Sequence, residues 1–152
     1  MQFQFIKDIF GTNYIGIDIK FSTTDKNGVQ FIDLLTKADK LVDNFFEYHE
    51  KLLTRNHNKY HMTVFSVMEY IKNSSTDDIV GSTVNAESIE FKGIGSITKD
   101  DKTTYFVVVE SELINKVRIA NGLEPKDLHV TIAYTHKDLF HDRKTNTNIL
   151  TV

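Results

Sequence analysis

The sequence predicts an α+β fold made of two similar halves, each an antiparallel sheet lobe with its helices on the outer face, and a central cleft between them. Apolar residues alternate in several segments and recur at helical spacing in others. The elements that these patterns predict follow the same order of strand, helix and strand in each half. The 152 residues, 40% of them hydrophobic, suit one globular domain. We therefore expect a single domain over residues 1–152, with lobes at roughly 1–75 and 76–152.

The first half is expected to contain a strand, a long helix and a second strand. Alternating apolar residues over 13–21 predict the first strand. Apolar residues spaced by three and four positions from Phe31 to Leu53 predict one long amphipathic helix. The β-branched and aromatic segment 60–68 predicts the second strand, and the polar segment 72–78 is typical of a linker.

The second half repeats this order of elements. The segments 88–97 and 104–110 flank a turn-forming sequence and predict a β-hairpin. Ser111 is a suitable N-cap and Gly122 a suitable C′ residue for the helix that follows. The segment 128–134 then predicts the last strand.

Two of the predicted strands carry the same short pattern, His61-x-Thr63 and His129-x-Thr131. Because side chains alternate along a strand, the His and the Thr of each pattern lie on one face, and the apolar residues between and after them lie on the other. A single His-x-Thr is an ordinary strand sequence. Two copies at equivalent points of two similar halves indicate a functional site.

These four side chains suit the cleavage of a phosphodiester bond. A histidine with a pKa near 6.5 is neutral or protonated close to neutral pH, so a facing pair can supply a general base and a general acid. One imidazole takes a proton from a ribose 2′-hydroxyl or a water, and the other protonates the leaving 5′-oxygen. Each Thr hydroxyl can donate a hydrogen bond to a phosphate oxygen on which negative charge develops.

The two motifs resemble those of the two-histidine (2H) phosphoesterases, which carry two His-x-Thr/Ser-x motifs on facing strands of a bilobed α+β fold. His61 with Thr63 and His129 with Thr131 match both motifs in full. The resemblance implies the bilobed 2H-phosphoesterase-like fold, with these four residues as the catalytic set. It also implies metal-independent reactions at 2′,3′-cyclic or 3′–5′ phosphodiester bonds of RNA-like substrates.

Within this superfamily, the small size, acidic balance and composition are most similar to the phage anti-CBASS nucleases, which degrade cyclic di- and trinucleotide signals of bacterial defence. That similarity implies a small cyclic nucleotide as substrate, a role in the host–virus interaction and a location in the host cell cytoplasm. Two alternatives are a 2′,3′-cyclic phosphodiesterase of RNA ends and a non-catalytic protein that sequesters cyclic nucleotides.

Five further residues are candidates for ligand binding. Tyr14 and Tyr134 lie beside the expected cleft, where an aromatic ring can stack on a nucleobase in a chain that has no Trp. Phe65 is expected on the cleft floor, because the same alternation places it on the His and Thr face. Lys137 and Arg143 can supply local positive charge. The alternatives are tyrosines at the edge of the core and a solvated basic segment.

The composition also predicts several absences. The chain has no Cys, and His136 and His141 have no recognised metal-binding spacing, so we expect no metal and no cofactor. A formal net charge of −3 disfavours a long nucleic acid as partner. The first residues lack a signal-peptide pattern and no run of 18 apolar residues is present, so we expect no membrane partner and a cytoplasmic protein.

Overall fold

The computed structural model describes residues 1–139, 144 and 149–150. The strands are β1 (Phe3–Lys7), β2 (Asn13–Ile19), β3 (Tyr60–Phe65), β4 (Glu90–Lys99), β5 (Lys102–Glu110) and β6 (Leu128–Tyr134). The helices are α1 (Phe31–Leu41), α2 (Phe45–Arg55), α3 (Val67–Lys72) and α4 (Glu112–Ala120), with short 3₁₀ helices at Ser74–Ile79 and Ala86–Ser88.

The strands form a six-stranded antiparallel sheet in the order β1-β2-β3-β6-β5-β4. Each half of the chain contributes a hairpin, then a helical segment, then a strand that lies at the centre of the sheet. The two halves meet where β3 pairs with β6, with Met62 opposite Val130. The predicted α+β fold with antiparallel strands is thereby confirmed, and the two halves share one continuous sheet.

Each half carries an irregularity at the same point of its central strand. In the pairing of β2 with β3, Thr63 lies opposite Gly16 and Phe65 lies opposite Ile15, so Val64 is an extra residue on β3. A bulge of this kind interrupts the strict alternation of side chains along a strand.

The second half repeats this bulge. In the pairing of β5 with β6, Thr131 lies opposite Phe106 and Ala133 lies opposite Tyr105, so Ile132 is the extra residue. In both halves the extra residue directly follows a His-x-Thr motif, and this shared position supports an internal duplication.

The hydrophobic core lies on one face of the sheet, together with the apolar sides of the helices. The central strands bury Met62, Val64, Val130 and Ile132 completely. Helices α1, α2 and α4 contribute the fully buried Phe31, Leu52 and Ile114. The two motifs thus have their apolar residues in the core and their His and Thr residues on the opposite, partly exposed face.

The predicted single long helix is wrong, because it is divided into α1 and α2. Val42 is extended, and Asn44 has a left-handed backbone with φ 61°. Val and Asn are both weaker helix formers than Leu or Ala, and Asn tolerates the left-handed conformation. Apolar spacing continues across this break because both helices bury the same side.

Two further differences concern the first half. The strand predicted over 60–68 ends at Phe65, because Ser66 caps α3 and exchanges hydrogen bonds with Glu69. Strand β1 was not predicted, although Phe3 and Phe5 alternate with glutamines. In the second half, the predicted hairpin, the Ser111 cap and the last strand are confirmed.

Within the described part of the chain, no helix is long and apolar enough to cross a membrane.

Candidate functional site

The two His-x-Thr motifs lie side by side at the centre of the sheet. Met62 opposite Val130 in an antiparallel pair places His61 across from Thr131 and Thr63 across from His129. All four side chains are partly exposed, whereas Met62 and Val130 are fully buried. The predicted catalytic residues therefore come from both halves and share one face of the sheet.

Strand β2 packs closely against the strand that carries the first motif. Gly16 on β2 lies opposite Thr63, and a Cβ atom at this glycine would lie only 2.8 Å from the carbonyl oxygen of Met62 and 2.5 Å from Cδ1 of Ile6. A larger residue would push β3 away from β2. Glycine at this position thus lets β2 approach the strand that holds His61 and Thr63.

Tyr14 contacts the first histidine directly. Its hydroxyl and Nε2 of His61 share a hydrogen bond of 2.9 Å, and the two rings are arranged edge to face. Burial raises the pKa of Tyr14 to about 12, so its hydroxyl keeps its proton at neutral pH. The structure therefore brings this predicted ligand-binding residue into contact with the candidate catalytic set.

Both histidines favour the neutral form. Burial, with a smaller contribution from the positive charge of Arg55, lowers the pKa of His61 to about 4. Burial also lowers the pKa of His129 to about 3, helped by the charges of Lys144 and Lys126 and opposed by the Asp127 backbone. Neither imidazole is protonated at pH 7 in the free protein.

The second histidine contacts one aromatic ring. Phe106 on β5 is fully buried and meets the His129 ring edge to face, with the ring centroids 6.0 Å apart. His61 has Tyr14 as its aromatic neighbour, and His129 has Phe106. The phenol of Tyr14 makes the two environments different, because only His61 has a hydroxyl partner from its aromatic neighbour.

Three charged residues form an ion network between α2 and the segment that follows β6. The Asp138 carboxylate lies 3.5 Å from the guanidinium of Arg55 and 3.8 Å from the ammonium of Lys144. Lys144 is fully buried and also donates a hydrogen bond of 2.6 Å to the Leu139 carbonyl. Arg55 ends α2, and the other two residues follow β6, so the network joins distant parts of the chain.

Two other ligand-binding candidates, Tyr134 and Phe65, are buried and pack against other parts of the protein. The Tyr134 hydroxyl donates to the Lys51 carbonyl, and the Arg55 guanidinium lies over the Tyr134 ring. Phe65 is fully buried and lies beneath the guanidinium of Arg118. The bulge at Val64 is the reason that alternation fails at Phe65, whose ring has no exposed surface from which to touch a ligand.

Of the two charged candidates in the tail, only Lys137 lies among the described residues. Lys137 is exposed, and its backbone carbonyl accepts a hydrogen bond from Thr104. Arg143 lies outside the described residues.

Sequence patterns did not single out Arg55 or Asp138. Neither residue belongs to a motif, and their proximity depends on how α2 and the segment after β6 pack together. Lys144 stood out only as part of a basic tail segment, which gave no indication that its side chain is fully buried. No local signal reports such contacts, because they join residues far apart in sequence.

Open grooves lie at both ends of the β3 and β6 pair. One, of about 720 Å³, is lined by Ser66, Glu69, Arg118 and residues 122–127. The other, of about 510 Å³, includes Arg55, Tyr134 and His136. Neither groove is lined by any of the four motif residues.

Among residues 1–139, 144 and 149–150, no group of three or more His, Cys, Asp or Glu side chains is close enough together to hold a metal ion. The four motif residues offer imidazoles and hydroxyls, which are suited to proton transfer and to hydrogen bonding of phosphate oxygens.

Paired imidazoles and hydroxyls at the junction of two related sheet halves are the arrangement expected of a phosphoesterase. A family model described as "Swiss Army Knife, 2H phosphoesterase domain" matches residues 28–140, about three quarters of the chain. The chain therefore belongs to the 2H phosphoesterases and is a phosphodiesterase. Searches of curated proteins and of solved structures found no significant match.

Proposed function

We propose that this phosphodiesterase hydrolyses the 3′–5′ bonds of small cyclic di- and trinucleotides, with His61 and His129 as the acid and base pair. We further propose that it serves a phage as a counter-defence (anti-CBASS) enzyme in the cytoplasm of the host cell. The observation that carries the proposed chemistry is the pairing of the two motifs across the β3 and β6 junction. The similarity in size and composition to anti-CBASS nucleases supports the narrower substrate class.

The proposed reaction is a hydrolysis with two proton transfers. One imidazole removes a proton from a water, or from the ribose 2′-hydroxyl, as the new oxygen–phosphorus bond forms. The bond from phosphorus to the 5′-oxygen breaks, and the other imidazole gives this oxygen a proton. Attack by the 2′-hydroxyl forms a 2′,3′-cyclic phosphate, which a water then opens.

Thr63 and Thr131 are proposed to bind the non-bridging oxygens. Each hydroxyl lies two residues from a histidine on the same face of its strand, which suits donation to an oxygen of the same phosphate. Negative charge on these oxygens grows in the transition state, so the hydrogen bonds strengthen as the reaction proceeds.

The lowered pKa values of the histidines fit a site in which substrate binding protonates one imidazole. Both imidazoles are neutral in the free protein at pH 7, yet the reaction needs one to be protonated. A phosphodiester carries a negative charge, and an anion within a few ångströms favours the protonated imidazole. Substrate binding is thus expected to raise the pKa of the histidine that acts as the acid.

Charge supports a small substrate over a long nucleic acid. The protein has a formal net charge of −3, but local positive charges act on the site: Arg55 lowers the pKa of His61, and Lys144 and Lys126 lower the pKa of His129. A polynucleotide would require an extended basic track. A cyclic di- or trinucleotide needs only local positive charge.

The direct test is incubation with cyclic di- and trinucleotides in excess chelator, followed by chromatography of the products. We expect linear products despite the chelator. His129→Ala should form none, whereas His57→Asn, which alters an exposed histidine with a left-handed backbone, should behave like the wild type.

Other outcomes distinguish the alternatives. Tight binding with intact cyclic nucleotide recovered afterwards would identify a sequestering protein. Turnover of 2′,3′-cyclic nucleotides without cleavage of the cyclic di- or trinucleotides would identify an RNA-end phosphodiesterase. Loss of activity in chelator would contradict the metal-independent mechanism.

A further inference from the structure

Strand β1 is an edge strand of the sheet, and its first residues are covered by another segment. The Phe3 N–H donates to the Ser82 carbonyl, and the Phe3 carbonyl accepts from the Gly81 N–H. The opposite edge strand, β4, is covered in part by its pairing with residues 149–150. Covering of this kind protects an edge from pairing with another chain.

The remainder of the β1 edge lacks such a cover. Backbone N–H and C=O groups alternate between the two sides of a strand. Those of Phe5 and Lys7 therefore point outward, as those of Phe3 do, whereas those of Gln4 and Ile6 point toward β2. Among the described residues, the outward groups of Phe5 and Lys7 have no hydrogen-bond partner. Residues 5–7 thus form an open edge.

Exposed apolar side chains accompany this open edge. Phe5 is 42% exposed and contacts the ring of Tyr70 in α3 edge to face. In the turn that follows β1, Ile9 and Phe10 are 80% and 85% exposed. The Asp8 carboxylate accepts hydrogen bonds from two backbone N–H groups of this turn and holds it in shape. The turn therefore presents two apolar side chains to solvent at the end of the open edge.

We propose that the open edge pairs with the open edge of a second copy of this chain, so that two six-stranded sheets join into one. The pairing is antiparallel about a two-fold axis at Ile6, with Phe5 of each copy opposite the partner's Lys7. Each of these two pairs exchanges both N–H···O hydrogen bonds. Association also removes the exposed Ile9 and Phe10 from water, which favours the dimer.

Only this register suits both the cover on Phe3 and the charge of Lys7. Of the neighbouring registers that keep outward groups opposite each other, one would place Phe3 opposite the partner's Lys7, but residues 81–82 already occupy that position. The other would place Lys7 opposite the partner's Lys7 and bring like charges together. With Ile6 on the axis, the partner strand turns back at Asp8, whose N–H bonds within its own hairpin, before it reaches the covered residues.

The proposed dimer keeps both candidate active sites accessible. Ile6 lies opposite Tyr14, and Tyr14 contacts His61, so the Ile6 side chain lies on the face that carries the motifs. Opposite residues of an antiparallel pair share a face, so both sites open on the same side of the joined sheet. The dimer does not depend on which phosphodiester is cleaved.

The first measurement is amide hydrogen exchange by NMR at low and high protein concentration, with the molecular mass in solution determined in parallel. The N–H groups of Phe5 and Lys7 gain hydrogen bonds only in the dimer, so we expect their protection to rise about tenfold or more with concentration. The N–H groups of Gln4 and Ile6 point toward β2 in both states, and their protection should stay constant.

Two substitutions of Phe5 test the register. Both remove the same aromatic ring, but Phe5→Glu places a carboxylate opposite the partner's Lys7, whereas Phe5→Lys places a second ammonium there. We expect the dissociation constant of the Phe5→Glu dimer to be about tenfold lower than that of the Phe5→Lys dimer, because cross-strand charges of opposite sign attract and like charges repel. Equal constants, or the reverse order, would overturn the proposal.

A further pair of variants tests the apolar contribution of the turn. Phe10→Ser should weaken the dimer about tenfold, because it removes apolar area that association buries. Phe46→Ser is the matched control, since it makes the same change at a ring on α2 that is 71% exposed, and it should leave the dissociation constant unchanged. An equal effect of both variants would contradict a contact at the turn.

The wild-type protein alone decides the result if the variants of Phe5 do not fold. A dimer whose Phe5 and Lys7 N–H groups stay unprotected uses another surface and overturns the proposal. A wild-type chain that remains monomeric at about 1 mM also overturns it, and would leave the open edge for a strand of another protein.

Discussion

The Tyr14 hydroxyl lies 2.9 Å from Nε2 of His61 and joins a strand of the first hairpin to the candidate catalytic pair. The phenol is protonated at neutral pH and the imidazole is neutral, so the hydrogen bond joins two uncharged groups. A hydrogen bond of this kind holds the imidazole in one orientation. The counterpart histidine, His129, instead contacts the buried Phe106 edge to face.

Tyr14→Phe tests this orienting contact. The ring can keep its edge-to-face contact with His61, and only the hydroxyl is lost. We expect kcat to fall about 3- to 10-fold, because a neutral hydrogen bond contributes roughly 0.5–1.5 kcal/mol. Steady-state kinetics with a cleaved cyclic dinucleotide and a thermal melt check the result. A normal kcat would show that the hydroxyl has no role in turnover.

Substitutions within the two motifs should separate proton transfer from oxygen binding. His61→Ala and His129→Ala are expected to abolish turnover, since each removes one of the two proton-transfer groups. Thr63→Ala and Thr131→Ala should lower kcat by about 10²–10³, the usual effect of losing one transition-state donor. Near-normal turnover by both His variants would place the active site elsewhere.

The central strands and the site motifs could be predicted because their signals are local. Alternation places His61 and Thr63 on one face, and the same pattern recurs at His129 and Thr131. Two copies in equivalent places also predict that the strands meet, since one copy alone offers no second acid or base.

Other features depend on pairing and packing that the local sequence does not report. Phe65 was predicted on the cleft floor, but the bulge at Val64 is a property of its register with β2. The division of the long helix at Asn44 was hidden by apolar spacing that continues from α1 to α2. Asp138 reaches Arg55 only after β6 has docked on α2, so no spacing in the sequence indicates their contact.

The free energy of unfolding should depend on pH through the two histidines. Their pKa values are about 4 and 3 in the folded protein and near 6.5 in an unfolded chain. Between these values the unfolded state binds more protons, so stability falls as the pH falls. The full contribution of the histidines to the free energy of unfolding is present above about pH 6.5. Below that pH, each histidine lowers the free energy of unfolding by up to about 1.4 kcal/mol per pH unit.

Denaturant unfolding between pH 5 and pH 7.5 measures this slope. His49 contributes in the same direction, because burial lowers its pKa as well. The double variant His61→Gln/His129→Gln should flatten most of the dependence and leave the part due to His49. An unchanged slope in that variant would show that the two imidazoles are not buried as neutral groups.

The ion pair between Glu69 and Arg118 should be important for the end of β3. Arg118 donates two hydrogen bonds to the Glu69 carboxylate and another to the carbonyl of Val64, the bulged residue after the first motif. Burial opposes ionisation of Glu69, but hydrogen bonds from Arg118 and the Ser66 backbone hold its pKa at about 2. The Arg118 side chain is only 4% exposed, so an unpaired guanidinium there would be costly.

Glu69→Gln is therefore expected to lower the free energy of unfolding by about 3 kcal/mol at pH 7. The matched control is Glu112→Gln, which removes an exposed helical ion pair with Lys116 and should cost less than about 0.5 kcal/mol. Because the folded pKa of Glu69 lies below its ordinary value, its contribution is present above about pH 4.5 and is lost as the pH falls toward 2. Denaturant unfolding at pH 7 compares the two variants, and similar losses in both would mean that burial gives the Arg118 pair no special weight.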